Sequence, residues 1–146
     1  MLAIFAAIER SAPSIWMRED AYAYFVALIL HAFGMALLVG GGIAISLRRM
    51  GFASQAELPM FRSFHPVMLV GALLAVASGL ALLAAYPAKA LTNPLFAVKI
   101  ACLAVATLLL RAKPRRGLAA LALVLWLAGV AAGKLLLHTA KILTVT

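Results

Sequence analysis

Residues 21–47 read AYAYFVALILHAFGMALLVGGGIAISL, a run of 27 positions with nothing more polar in it than Tyr22, Tyr24, His31 and Ser46. At 1.5 Å of rise per residue, about 20 apolar residues cross the hydrocarbon core of a bilayer. This stretch is therefore read as a membrane-spanning helix. Three further runs follow. Residues 66–86 open on Pro66, where a missing N–H is harmless at a helix start, and stop at Pro87. Residues 94–110 form the shortest run and contain Lys99, and residues 117–139 form the last. Short connections favour neighbours in sequence packing as neighbours in space. The expectation is an all-α integral membrane protein: a four-helix up-down bundle forming a single domain over residues 1–146.

Composition agrees. Of 146 residues, 66% are hydrophobic and 12% charged, against about 45–50% and about 25% in a soluble domain. One small core cannot hide that much apolar surface, so lipid must solvate it. Thirteen Lys/Arg against four Asp/Glu give a formal charge of +9. In a soluble chain that balance suggests nucleic acid. Here the cations lie mostly between apolar runs, with no basic helix face and no aromatic pattern for stacking bases, so no nucleic-acid partner is expected. The single cysteine, Cys102, lies inside a run and has no internal disulfide partner.

The connections give an orientation. Arg48, Arg49 and Arg62 against Glu57 separate the first two runs, and Arg111, Lys113, Arg115 and Arg116 separate the last two. The other side carries Lys89, Lys141 and an N-terminal segment in which Arg10 and Arg18 face Glu9, Glu19 and Asp20. Positive loops stay in the cytoplasm, so both termini are expected outside a bacterial inner membrane, in the periplasm. Residues 1–7 are apolar but lack a basic n-region and run into Glu9 and Arg10, unlike a signal peptide. Leu2, Ile4, Phe5 and Ile8, with Trp16 and Met17 beyond Pro13, suggest a short helix lying in the outer interface.

Ionisable groups inside spans are costly and point to function, provided a partner is named. The candidates are His31, His65, Lys99, Lys134 and His138. By helix rise, His31 lies roughly 15 Å below the outer end of its span and Lys99 within roughly 8 Å of that face. Lys134 and His138 stand four apart near the outer end of the last span, on one helix face. Only His65 is at the opposite end. No Asp or Glu occurs in any span, so a buried cation there needs an anion from elsewhere or a route to water.

Haem b supplies what this set lacks: an iron for neutral imidazole, a flat apolar ring, and two propionates. On that reading His31 and His138 are the metal ligands, Lys99 and Lys134 hold the propionates, and Gly34 and Gly79 leave room for the ring. A bland account stands beside each element. Gly71, Ala75 and Gly79 form a small-residue row of the kind that packs membrane helices. Lysines near a helix end snorkel to the headgroups, and His138 is near enough to the end to be solvated. It also lies roughly 5–7 Å further out than His31 by helix rise. Met35 and Met68, four and three residues after His31 and His65, raise copper(I) as a rival cargo.

Several short motifs carry a resemblance. Leu30-His31-Ala32-Phe33-Gly34, then Leu47-Arg48-Arg49-Met50-Gly51-Phe52, then Asn93-Pro94-Leu95-Phe96-Ala97-Val98-Lys99 and Gly133-Lys134, together resemble an uncharacterised family of small bacterial four-helix membrane proteins. That family is distantly similar to copper-resistance and cytochrome b-type four-helix membrane domains. In those domains histidines in helices hold haem, so the resemblance implies a cofactor near His31. This chain departs from the family at Phe64-His65-Pro66, where Arg-Pro-Trp is usual. The functional expectation is a haem b membrane cytochrome passing electrons near the outer face, with quinone or a periplasmic redox protein as partner. The alternative is a non-catalytic accessory subunit of a larger membrane complex. Copper or small-solute transport by a homo-oligomer comes third. No nucleophile–base pair supports an enzyme with its own substrate chemistry.

Overall fold

Each span starts and stops where backbone chemistry dictates. In the computed structural model, which describes residues 7–52 and 64–142, every element is a helix: α1 (Ala12–Glu19), α2 (Ala21–Met50), α3 (Phe64–Ala85), α4 (Pro87–Leu91), α5 (Pro94–Arg111) and α6 (Arg116–Ile142). The Asp20 carboxylate caps α2 by accepting from the N–H groups of Tyr22 and Ala23 at 2.9 and 3.1 Å. This satisfies donors that no helical carbonyl reaches. At its far end Gly51 takes φ 105°, a left-handed conformation that glycine adopts without a Cβ clash. There the Gly51 and Phe52 N–H groups close back onto Arg48 and Leu47. Asn93 caps α5 through Leu95 N–H at 3.0 Å, with Pro94 in the first turn.

Four of the helices, α2, α3, α5 and α6, are long and apolar enough to cross a membrane. Their large exposed side chains, among them Leu69, Leu73, Leu80 and Val124, are a surface suited to lipid rather than water. The chain is an all-α multi-pass membrane bundle. The four spans begin and end close to the positions expected from hydropathy.

The packing differs from a closed ring of sequence neighbours. α2 packs on α3, α5 packs on α6, and the two hairpins meet mainly through α2 and α6. The second and third spans, α3 and α5, are neighbours in sequence but share no substantial contact. The physical reason lies in the small residues. A Cβ on Gly34 would come within 2.5 Å of the Ala75 nitrogen, and one on Gly71 within 2.7 Å of the Leu38 nitrogen. Without side chains there, α2 and α3 approach backbone to backbone. Gly42 likewise receives the Trp126 ring of α6, which is fully buried. Close approach is thus built into α2–α3 and α2–α6, while α3–α5 is left as a seam.

Two apolar clusters hold the bundle. Val39, Ile45, Met68, Ala106, Leu110, Ala122 and Trp126 form the larger one, toward the end rich in arginine. Met17, Ala27 and Ala85 form a smaller one beneath α1. α1 itself packs across α3 and α2, burying Ser14 and Met17 while Trp16 stays 58% exposed. Ser14 and Arg18 both donate to the Ala85 carbonyl at 3.5 Å, and Arg18 also donates to the Glu9 carbonyl. The expected N-terminal helix is present as a docked element that caps the end of the second span. Leu2, Ile4 and Phe5, and the loop residues Glu57 and Arg62, lie outside the described residues.

Candidate functional site

Between the two clusters α2, α3 and α5 contribute to one polar contact, with α6 packed alongside. His31 lies on α2 one turn from buried Ala27 and two turns from buried Val39. Its Nδ1 stands 3.0 Å from the Ala75 carbonyl oxygen of α3. A carbonyl only accepts, so Nδ1 carries the proton and donates. Nε2 is then the acceptor, and Lys99 Nζ of α5 donates to it at 3.1 Å. Ser78 completes the ring's surroundings: its hydroxyl lies 3.3 Å from Nδ1 and donates to the Leu74 carbonyl at 2.6 Å.

Two glycines make this geometry available. Gly79 is four residues after Ala75, so in a helix its own N–H points at that same carbonyl. With no side chain there, the imidazole reaches the carbonyl's free lone pair. A Cβ on Gly79 would sit 3.2 Å from His31 Cε1. Gly133 of α6 plays the matching part for Lys99, whose stem runs past it: a Cβ there would be 3.4 Å from Cδ and Cε and 3.5 Å from Nζ. The lysine stem lies along apolar helix surface while its head reaches the imidazole. Both side chains are half-buried.

The structure brings His31, Lys99 and Gly79 together and leaves Lys134 and His138 apart. The last two are exposed and neither hydrogen-bonds the pair. His65 is exposed at the start of α3. Ser78 and the Ala75 carbonyl escaped sequence reasoning. The signal for Ser78 was its place seven residues after Gly71, on the face that packs against α2.

The groups that the haem reading assigns to the cofactor have other contacts in this arrangement. The Nε2 lone pair that an iron would take is engaged by Lys99. Gly34, read as space for the ring, is closed by the backbone of Ala75, and Gly79 is filled by His31 itself. Among the described residues no group of three or more His, Cys, Asp or Glu forms a metal cluster. Met68 is buried in the large core cluster with Met35 packed against it, an ordinary packing role.

What the site offers instead is a directed cation. An ammonium has three donors; His31 accepts from one, orienting the rest. With no Asp or Glu in any span, charge balance in the low-dielectric interior must come from outside the spans. Compared with known proteins, the chain matches no family model, no curated sequence and no solved structure.

Proposed function

We propose that this is a membrane-embedded binding protein whose ligand presents an oxyanion to Lys99. The observation that carries this reading is the Lys99–His31 hydrogen bond at 3.1 Å, set among four spans that contain no carboxylate. A lone ammonium there is expensive. Held by an imidazole whose Nε2 only accepts, an ammonium there lacks a counter-ion. A carboxylate or phosphate oxygen supplies the counter-ion and takes the remaining N–H donors in charge-assisted hydrogen bonds, the stronger kind.

The same features disfavour a through-membrane proton path. Beyond Ser78, whose hydroxyl is spent on Leu74, the hydroxyls toward the arginine end are Thr107 and Ser46, which bond back to Leu103 and Gly42 of their own helices, with the apolar core around them. No polar chain connects the pair to that end among the described residues. The site is one-sided. Arg48, Arg49, Arg111, Arg115 and Arg116 crowd the opposite end, which by the positive-inside rule faces the cytoplasm of a bacterial inner membrane. The site then opens in the outer half and both termini are periplasmic.

The test is a ligand-dependent stability measurement in detergent. A ligand that binds only the folded state stabilises it by about 2.7 kcal/mol at a hundredfold excess over Kd. Long-chain carboxylate or phosphate amphiphiles are expected to raise the Tm of the wild-type protein with saturation and to leave Lys99→Met unmoved. An equal rise in both proteins overturns the reading. Purified protein from a haem-sufficient host is expected to be colourless, and a Soret band lost in His31→Ala would restore the cytochrome.

A further inference from the structure

We infer that the oxyanion reaches Lys99 on a lipid, sideways through the seam between α3 and α5, rather than from the aqueous phase at the α1 end. The inference rests on the binding reading above and adds the ligand's class and its route. Three observations carry it.

The first is that the imidazole bridges two spans that do not otherwise pack. His31 touches Ala75 and Ser78 of α3 on one side and Lys99 of α5 on the other, yet α3 and α5 share no substantial contact. The half-buried Lys99 therefore reaches His31 beside the seam that α3 and α5 leave, with Gly133 of α6 along its stem.

The second is a cover over the α1 end. The connection from Ala85 to Asn93 carries α4, which contacts both α3 and α5 and so crosses the top of the seam. α1 lies beside it over α2 and α3, fastened by Ser14 and Arg18 to the Ala85 carbonyl. Ala85 is fully buried. Gly79, the level of the imidazole, is six residues below Ala85, roughly 9 Å by helix rise. A water-soluble anion has to pass this cover, while a lipid need only enter from the side.

The third is charge against depth. Lys99 sits five residues into α5, about 8 Å below its start by helix rise. That is a depth at which a lipid head drawn inward keeps its chains in hydrocarbon, whereas a free ion forfeits its hydration.

The experiment uses the full chain in nanodiscs of phosphatidylcholine carrying a small fraction of doxyl-labelled stearate, read by EPR as the motionally restricted fraction. Its methyl ester serves as the neutral control, and sodium acetate and inorganic phosphate as water-soluble competitors. The wild-type protein is expected to restrict the acid several-fold more than the ester, Lys99→Arg to retain most of that difference, and Lys99→Met to lose it. Millimolar acetate or phosphate is expected to displace none of it. Displacement by either ion at low concentration overturns the lateral route while leaving the oxyanion site standing. An acid–ester difference unchanged in Lys99→Met, with its helical content intact, overturns the site itself.

Discussion

His31 and Lys99 lie 68 positions apart in the chain and 3.1 Å apart in space, and their energetics are coupled. Removing the imidazole strands the lysine: in His31→Leu the ammonium loses its acceptor inside the bundle, a cost of about 1–3 kcal/mol for a group left unsatisfied. Lys99→Met costs less, because the imidazole keeps its bond to Ala75 and the new side chain is apolar and of similar length. The double variant removes the penalty along with the pair, so its destabilisation is expected to fall short of the sum by roughly 0.5–3 kcal/mol. Reversible unfolding in mixed micelles checks this, and strict additivity would show that the two side chains do not meet. At this scale the sequence spoke clearly about which residues are anomalous and poorly about their partners. A histidine and a lysine in apolar runs are visible from composition alone. That the histidine spends one nitrogen on a backbone carbonyl depends on Gly79 leaving that carbonyl open, and no side-chain pattern encodes a lone pair. The haem reading came from the missing anion; Gly34, which it took as space for the ring, packs against the Ala75 backbone.

Glycines distinguish packing from propensity at the scale of the helix. Gly34→Ala and Gly71→Ala drive a methyl into the backbone of the facing helix, at 2.5 and 2.7 Å, and are expected to destabilise by about 1–3 kcal/mol through overpacking. Gly40→Ala and Gly117→Ala meet nothing within 4 Å. They are expected to be neutral or to stabilise by up to about 1 kcal/mol, since alanine is the better helix former. A thermal-melt series over the four variants separates the two classes; a uniform response contradicts the α2–α3 interface. A second helix-scale feature is the end of α5. Arg49 of α2 donates to the carbonyls of Leu109, Leu110 and Ala112 at 3.5, 2.6 and 3.4 Å, adding a second donor at Leu109, which also accepts the Ala112 N–H, and serving acceptors at the helix C-terminus. Arg49→Leu is expected to raise amide hydrogen exchange locally around residues 109–113, with little change at the caps of α2. Span boundaries were legible because length and hydropathy suffice for them. The role of Arg49 was not: an arginine in a basic loop reads as topology, and its use as another helix's cap is a tertiary fact.

The bundle is two hairpins joined mainly through α2 and α6, with little contact between α3 and α5, which His31 bridges through Ala75 on one side and Lys99 on the other. Hydropathy predicted the four spans and the all-α fold class. It implied a ring of sequential neighbours, which the small residues redirected by letting α2 approach α3 and α6 closely. Charge asymmetry between the loops remains the basis for orientation, and reporter fusions at the two termini are expected to be active only outside the cytoplasm. The measurement that tests the account most directly is solid-state NMR on bilayer-embedded protein with 15N-lysine and ring-labelled histidine. It reads the tautomer of His31 and its distance to Lys99. The account predicts a neutral Nδ1–H imidazole, identified by its loss in His31→Leu, with strong dipolar contact to a lysine Nζ that vanishes in Lys99→Met. An Nε2–H tautomer, or a His31 ring with no lysine nitrogen in dipolar reach, contradicts the convergence of α2, α3 and α5 on this pair.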